Sequence, residues 1–419
     1  MLTTNWICGG ILALGLCGQA QVPTQPPVLN GIDVLESDHF AALKTLAARH
    51  GGHLRAALMT DQAGMDNHDR RTIDVLYSDA TAAVPGFKLV DLFSPEHGIN
   101  GVLDQHSIGN DHDAATGLQV ISLFGATDAQ RRPSKEQLTG LDAVLIDLQD
   151  AGVHYYTYES VVGRFLEAVA GTDVDVVVLD RPNPIGGLAV EGVVSSPGRE
   201  SYINFISEPV RQGMTMGELA TYFKATRHLD SHLTVVQMRG WKRADWFDAT
   251  GQLWINPSPN LRSLTQAILY PGIGILERTN LSVGRGTDTP FEWVGAPWMD
   301  GRVAAAYLNA RHIPGVRFIP VQFTPGGAYP FHGQLCKGIE FLVTDRDVLD
   351  SPELGLEVAS ALYKLFPETF LIDKIDQLLL NQTAVHALKA GEDPRKVTQD
   401  DRNALEAFKR GRAAALLYK

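Results

Sequence analysis

Glu96 and His97 follow an apolar run, Leu89-Val90-Asp91-Leu92-Phe93, that stops at Ser94-Pro95, and Gly98 comes directly after them. A run of that length closed by proline reads as a strand covered on both faces, and the glycine permits a sharp turn beside the two ionisable side chains. A glutamate delivered in this way against apolar walls would have its proton affinity raised by desolvation, which suits a general acid. Glycoside cleavage needs such an acid, usually with a second carboxylate or a substrate group on the opposite face of the sugar. Asp147, Asp150 and Glu277 are the candidate partners.

Polar groups recur after the other apolar runs: Thr60-Asp61-Gln62, Gly125-Ala126-Thr127, Asp147 with Gln149-Asp150, and Asp180-Arg181-Pro182-Asn183-Pro184. Helix caps and turns explain isolated Asp, Asn, Ser and Thr at such places. They do not explain a Glu-His pair or an arginine wedged between Asp and Pro. The sequence holds no G-x-G-x-x-G opening a helix after the first strand, no Walker A lysine, no H-E-x-x-H and no G-x-S-x-G. Dinucleotide, nucleoside triphosphate, zinc peptidase and α/β-hydrolase chemistry are thereby disfavoured. Asp111-His112-Asp113 reads as a solvated loop rather than a metal site, so neither metal nor cofactor is expected. Two alternatives stay open: a non-catalytic module that binds sugars, and an esterase or deacetylase using Ser94 or Ser282.

The elements that must position these residues follow a regular pattern. Runs of strand length at Leu54 to Met59, Phe87 to Phe93, Val120 to Phe124, Ala143 to Leu148 and Val174 to Leu179 alternate with stretches long enough for crossover helices. Tyr158 to Ala170 is the clearest helix, with Val161, Val162, Phe165, Leu166 and Val169 on one face. Continuously apolar strands alternating with helices predict an α/β fold with a parallel sheet covered on both sides, and a site outside the carboxyl ends of the strands. Further on, a helix is expected at Met214 to Phe223 and a strand at Leu233 to Met238; Trp241 and Trp246 read as core or interface residues rather than a sugar platform. The turn-rich Asn256-Pro257-Ser258-Pro259-Asn260 precedes a change of character, so a first domain is expected over 31–265 and a smaller α+β domain, completing a cleft, over 266–419.

A chain of 419 residues, 44% apolar, is long enough for two cores. Its net charge of -12, with no basic run, argues against nucleic acid or an anionic membrane surface as partner. Trp6 to Leu16, too short to span a bilayer and followed by Gly18-Gln19-Ala20, reads as a secretory signal over 1–20, with a proline-containing linker over 21–30. No transmembrane segment is expected after its removal, and the protein is expected to be secreted or periplasmic. Cys8 and Cys17 fall in the leader, which leaves Cys336 alone as a small buried residue.

Several blocks in order resemble the bacterial exo-β-N-acetylmuramidases, a family long known as a domain of unknown function. They are Ser94-Pro95-Glu96-His97-Gly98, Asp147-Leu148-Gln149-Asp150-Ala151-Gly152 with Tyr155-Tyr156-Thr157-Tyr158, and Leu179-Asp180-Arg181-Pro182-Asn183-Pro184. Arg211-Gln212-Gly213-Met214-Thr215, Pro257-Ser258-Pro259-Asn260 and Thr279-Asn280-Leu281-Ser282-Val283-Gly284-Arg285-Gly286-Thr287 extend the match. The resemblance implies a Rossmann-like first domain, a site between domains, and removal of terminal non-reducing N-acetylmuramic acid from peptidoglycan fragments without a cofactor. It implies Glu96 as the catalytic acid, assisted by His97 and Asp150. Asp147, Gln149, Tyr158, Arg181, Asn183, Asn280 and Arg285 would bind substrate, with an arginine pairing the lactyl carboxylate. The chain departs from the family pattern where arginine commonly precedes the tyrosine block, here His154, where histidine often follows Arg211, here Gln212, and at Asp61. A lost arginine contact would move specificity to a related amino sugar.

Overall fold

A computed structural model describes residues 27–419; the expected leader, with Cys8 and Cys17, lies outside them. Seven strands form one sheet: β1 (Leu54–Thr60), β2 (Phe87–Ser94), β3 (Asp111–His112), β4 (Gln119–Ser122), β5 (Ala143–Asp147), β6 (Asp175–Leu179) and β9 (His232–Val236). A short hairpin of β7 (Glu191–Val194) and β8 (Pro209–Arg211) lies outside that sheet. The sheet order is β3-β4-β2-β1-β5-β6-β9, and every neighbouring pair is parallel except β3 with β4. Apart from β3, the parallel strands run third, second, first, fourth, fifth, sixth, which is the doubly wound Rossmann order.

Period-two alternation divides the core. Ala56, Leu58, Leu145 and Val177 face one cluster with the helices Gly31–Ser37 and Ala41–Arg49, while Ala57, Met59, Ile146 and Val178 face another with Tyr158–Ala168 and Met216–Thr226. One register shift interrupts the alternation: Ala56 pairs with Leu89 but Ala57 with Asp91, which leaves Val90 as an extra residue in β2. The bulge lets both Leu89 and Leu92, three apart, face the first cluster. Strict alternation would send Leu92 to the opposite side.

The second domain is an antiparallel sheet, β10 (Trp293–Ala296), β12 (Cys336–Val343) and β11 (Val316–Phe323) in that order, covered by helices including Leu264–Ile273, Gly301–Ala310 and Ser351–Leu365. Its residues Val294, Ile339 and Leu354 belong to the same apolar cluster as Ile146 and Phe165, so the two parts share a continuous core. Cys336 is a free, fully buried residue of β12. Asp111-His112 is the short strand β3 instead of a loop, and Asp113 is buried because Arg71 and Thr116 donate to its carboxylate. Among the described residues no cluster of His, Cys, Asp and Glu is arranged to hold a metal, and no helix is long and apolar enough to cross a membrane.

The strand order reverses between β1 and β5, where a doubly wound sheet opens its crevice. That crevice is occupied from within. Arg181, following β6, donates through Nε (2.5 Å) and Nη2 (2.9 Å) to the two oxygens of Asp147 at the end of β5, and its Nη2 also reaches the Met65 carbonyl at 2.7 Å. Thr72 bonds the same carboxylate, and both charged partners are buried. A pocket of about 220 Å³ is what stays open, lined by Gln149, Arg181 and Met65. Removing one member of a buried pair strands the other charge, so Arg181→Met is expected to lower stability by about 3–5 kcal/mol in urea unfolding. Asp147→Leu combined with Arg181→Met should recover part of that loss; a single variant as stable as wild type would contradict the assignment.

Candidate active site

The larger cleft, about 640 Å³, lies at the tip of β2 and between the two domains. Glu96 and His97 form its floor from the first domain, with Tyr155, Tyr156 and Thr157 from the loop after β5. The second domain supplies Tyr270, Glu277, Arg285 and Tyr329. His97 has φ 75° and Gly98 φ 74°, a left-handed pair that turns the chain back at the strand end; for the histidine this costs roughly 1 kcal/mol. The imidazole compensates: its Nδ1 lies 2.8 Å from the Leu103 carbonyl, while the Leu103 N–H donates to the His97 carbonyl at 3.2 Å. A carbonyl only accepts, so Nδ1 carries the proton there.

Glu96 is half-buried, one oxygen accepting from the Thr157 hydroxyl at 3.0 Å. Thr157 is placed by the helix Tyr158–Ala168, which is pinned to β2 through an edge-to-face contact of Phe165 with Phe93 (centroids 5.3 Å apart). The walls of the cleft that holds Glu96 combine tyrosine rings with apolar side chains such as Phe124, Leu261 and Val283. The Tyr158 hydroxyl is buried between the Glu96 carbonyl (3.3 Å) and the Pro257 carbonyl (3.2 Å), so it braces the strand tip from behind. Tyr155 and Tyr156 spend their hydroxyls on the carbonyls of Tyr270 and Pro257 and wall the cleft with their rings.

Of the residues expected to do chemistry, Glu96, His97, Arg285 and the candidate partner Glu277 line this cleft. The others are placed elsewhere for identifiable reasons. Asp147 and Arg181 are spent on each other. Gln149 donates to the carbonyls of Asp150 and Pro182, facing the smaller pocket. Asn183 bridges Met214 and Ile185, and Asn280 clamps Thr369 and Leu371. Asp180 accepts from Thr215, the Gly217 N–H and Tyr418, anchoring a helix start and the C-terminal segment instead of touching Arg181's fork. Asp150 accepts from the Gly152 N–H at 2.8 Å; Gly152 has φ 80°, and a Cβ there would meet the Asn183 amide at 2.5 Å. Burial pushes Asp150 up to about 7 and Asp61 up to about 6, so the desolvated acids sit behind the cleft. Trp241 packs on Tyr418 and Trp246 against Arg211 and Arg346, neither in the cleft. Ser94 and Ser282 are buried, and among the described residues no histidine bonds either hydroxyl.

Asp104, Arg131, Tyr202, Tyr270, Arg278 and Tyr329 also line the cleft and carry no periodic or motif signal in the sequence. Asp104 joins the domains: it accepts from Arg285 (2.7 Å), Asn260 (3.2 Å) and Tyr329 (2.5 Å), and Arg285 also pairs with Glu277.

A Rossmann-ordered sheet, a second domain closing over one strand tip and a cleft of carboxylates, arginines and tyrosines define a two-domain α/β protein with a polar interdomain cleft. Residues 56–265 match the family model for the N-terminal domain of exo-β-N-acetylmuramidase NamZ, and residues 268–418 match the model for its C-terminal domain. The chain belongs to this family and is an exo-acting glycosidase, which sets aside the non-catalytic binding module. It is 35% identical over 403 residues to the peptidoglycan β-N-acetylmuramidase NamZ of Bacillus subtilis strain 168, covering 95% of this chain and 93% of that protein. Two crystal structures of DUF1343 family proteins from Bacteroides fragilis NCTC 9343 share the fold. One has a TM-score of 0.82 and 31% identity, covering 94% of this chain and 100% of the other. The second has a TM-score of 0.74 and 25% identity, covering 94% and 99%.

His154 and Gln212, two of the three departures from the family pattern, are both fully buried and outside the cleft, so the missing arginine is not a lost cleft contact at this position. Gln212 lies in a buried polar region with Asp150, Glu159 and Glu208. No arginine or lysine pairs with either glutamate among the described residues, and burial raises both: Glu159 is raised further by the Glu208 charge, and Glu208 is pushed up to about 8 by burial and the Asp150 charge. Burial lowers His154 to about 4. The folded state therefore holds carboxyl protons that the unfolded chain releases, and stability falls as pH rises from the ordinary carboxylate range towards 8. His154 acts in the opposite sense, but only between its folded value of about 4 and its ordinary 6.5. Above pH 6.5 the carboxyls act alone, so the thermal midpoint should drop between pH 6.5 and 8, and the drop should be smaller in Glu208→Gln. Equal drops in the two proteins would rule the pair out as a source.

Proposed function

We propose that this glycosidase removes a terminal non-reducing N-acetylmuramic acid, or a closely related amino sugar, from peptidoglycan fragments, with Glu96 as general acid. The observation that carries the role of Glu96 is the commitment of the other cleft carboxylates. Asp104 and Glu277 are both ion-paired with Arg285, and despite its burial Asp104 is held below the usual carboxylate range by that guanidinium, whereas Glu96 has no cation partner among the described residues and meets only a hydroxyl. An acid must offer a proton to the leaving oxygen; a carboxylate locked on guanidinium is poorly suited to that and well suited to stabilising positive charge on the sugar ring. Glu277 approaches the cleft from the second domain, and of the three partners considered from sequence it is the one at the site. His97 fixes the turn that presents Glu96.

Release of the terminal sugar from a muramic acid-containing disaccharide tests the reading. Glu96→Gln should lose roughly 10²-fold or more in kcat with a much smaller change in KM. Turnover of that variant at the wild-type rate would remove Glu96 from the mechanism.

We also infer export, from the apolar Trp6 to Leu16 and the small-x-small Gly18-Gln19-Ala20. Sequencing the N-terminus of protein recovered outside the cytoplasm should begin at Gln21; a chain retained inside and still starting at Met1 would contradict it.

A further inference from the structure

Three arginines line the cleft, and they differ in what answers their charge. Arg285 lies between Asp104 and Glu277 and is neutralised by the protein itself. Arg278 is exposed at the rim. Arg131 is half-buried and held in one orientation: its Nε donates to the Gly125 carbonyl at 2.7 Å, and its guanidinium lies 4.9 Å from the Tyr202 ring centre and 5.7 Å from that of Phe124. Both terminal nitrogens are left without a partner among the described residues. A fork with a fixed plane and two free donors is organised in advance for a planar anion, since little side-chain freedom is lost on binding.

The surroundings point the same way. The chain carries a net charge of -12, and Glu96, Asp104 and Glu277 already occupy the cleft, so an anionic substrate meets repulsion unless a local cation answers it. Tyr202, on whose ring Arg131 rests, lines the same cleft as Glu96. A sugar held there with its glycosidic oxygen at Glu96 shares the cleft with Arg131, which can meet a ring substituent.

We infer that Arg131 is a specificity-determining residue, receiving the carboxylate of an acidic amino sugar through its two terminal nitrogens while Glu96 acts on the glycosidic oxygen. This rests on the proposed muramidase reading, in which the carboxylate is the lactyl group. It replaces Arg181, spent on Asp147, and Arg285, spent on Asp104 and Glu277, as the arginine for that role.

The test compares a 4-nitrophenyl β-glycoside of N-acetylmuramic acid with the same glycoside carrying a lactyl methyl ester. Wild-type protein should prefer the free acid. Arg131→Gln should lose about 10- to 100-fold in kcat/KM on the acid, mostly through KM, and under about threefold on the ester, erasing the preference. Arg131→Lys should restore part of it, since charge returns without the fork. Equal losses on both substrates would make Arg131 structural and overturn the inference, as would loss of the preference in Arg278→Gln with Arg131→Gln unaffected. Wild-type protein that cleaves neither glycoside would overturn the muramidase reading and this inference with it. Cleavage of both without preference would overturn this inference alone.

Discussion

The buried ion pair between Asp147 and Arg181 fixes where chemistry is possible in this protein. Two charges taken out of water are tolerated only when each is fully answered, and here Thr72 and the Met65 carbonyl complete the set. The chain segments leaving β1, β5 and β6 are thereby drawn to one point, in the crevice that a sheet of this order would otherwise offer to a ligand. The next strand tip along is that of β2, and there Glu96 emerges under the second domain. The loop that starts at the ion pair runs on through Tyr155 and Tyr156 to Thr157, so the interior pair also governs the hydroxyl that meets Glu96.

What could be read from the sequence follows what is buried on both faces. β5 and β6 are buried at every position, and continuous apolar runs announce such strands without ambiguity. β11 alternates irregularly between buried and exposed and carries Pro320, so its pattern is diluted at the edge of a half-covered sheet. The extra residue at Val90 could not be foreseen, because a bulge is defined by the partner strand. At the site, Glu96 was legible as an acid ending a buried strand. Asp147, Asp150 and Arg181 carry the same signal for a different reason: strand ends collect carboxylates both for catalysis and for tying loops together, and only three-dimensional burial separates the two uses. Arg131 ends a short 3-10 turn and Asp104, Tyr202 and Tyr329 come from loops, none with a period, and only the fold brings them together.

Glu159 and Glu208 show how a buried region can be neutralised by protons where no cation answers it. His154 is held neutral by burial, with both ring nitrogens unpartnered. With no cation among the described residues, the glutamates remain in the interior by retaining protons, which burial favours for both, helped by the Glu208 charge at Glu159 and the Asp150 charge at Glu208. Because a proton can leave, the region has a dependence on pH that a fixed ion pair would lack.

The cleft itself depends on both domains through Asp104. The turn that displays Glu96 is held at one end by β2 and closed by the His97 to Leu103 bonds, and Asp104, the next residue, is fixed by Arg285 and Tyr329 of the second domain. The acid's position is therefore set by a chain of bonds that crosses the domain boundary. If the loop were free of Arg285, the left-handed conformation at His97 would lose part of what holds it, and Glu96 would sample orientations away from Thr157. Arg285 thus neutralises two carboxylates and fastens the loop in one contact, which is why its charge is unavailable to a substrate and why a separate cation must serve any anion that enters.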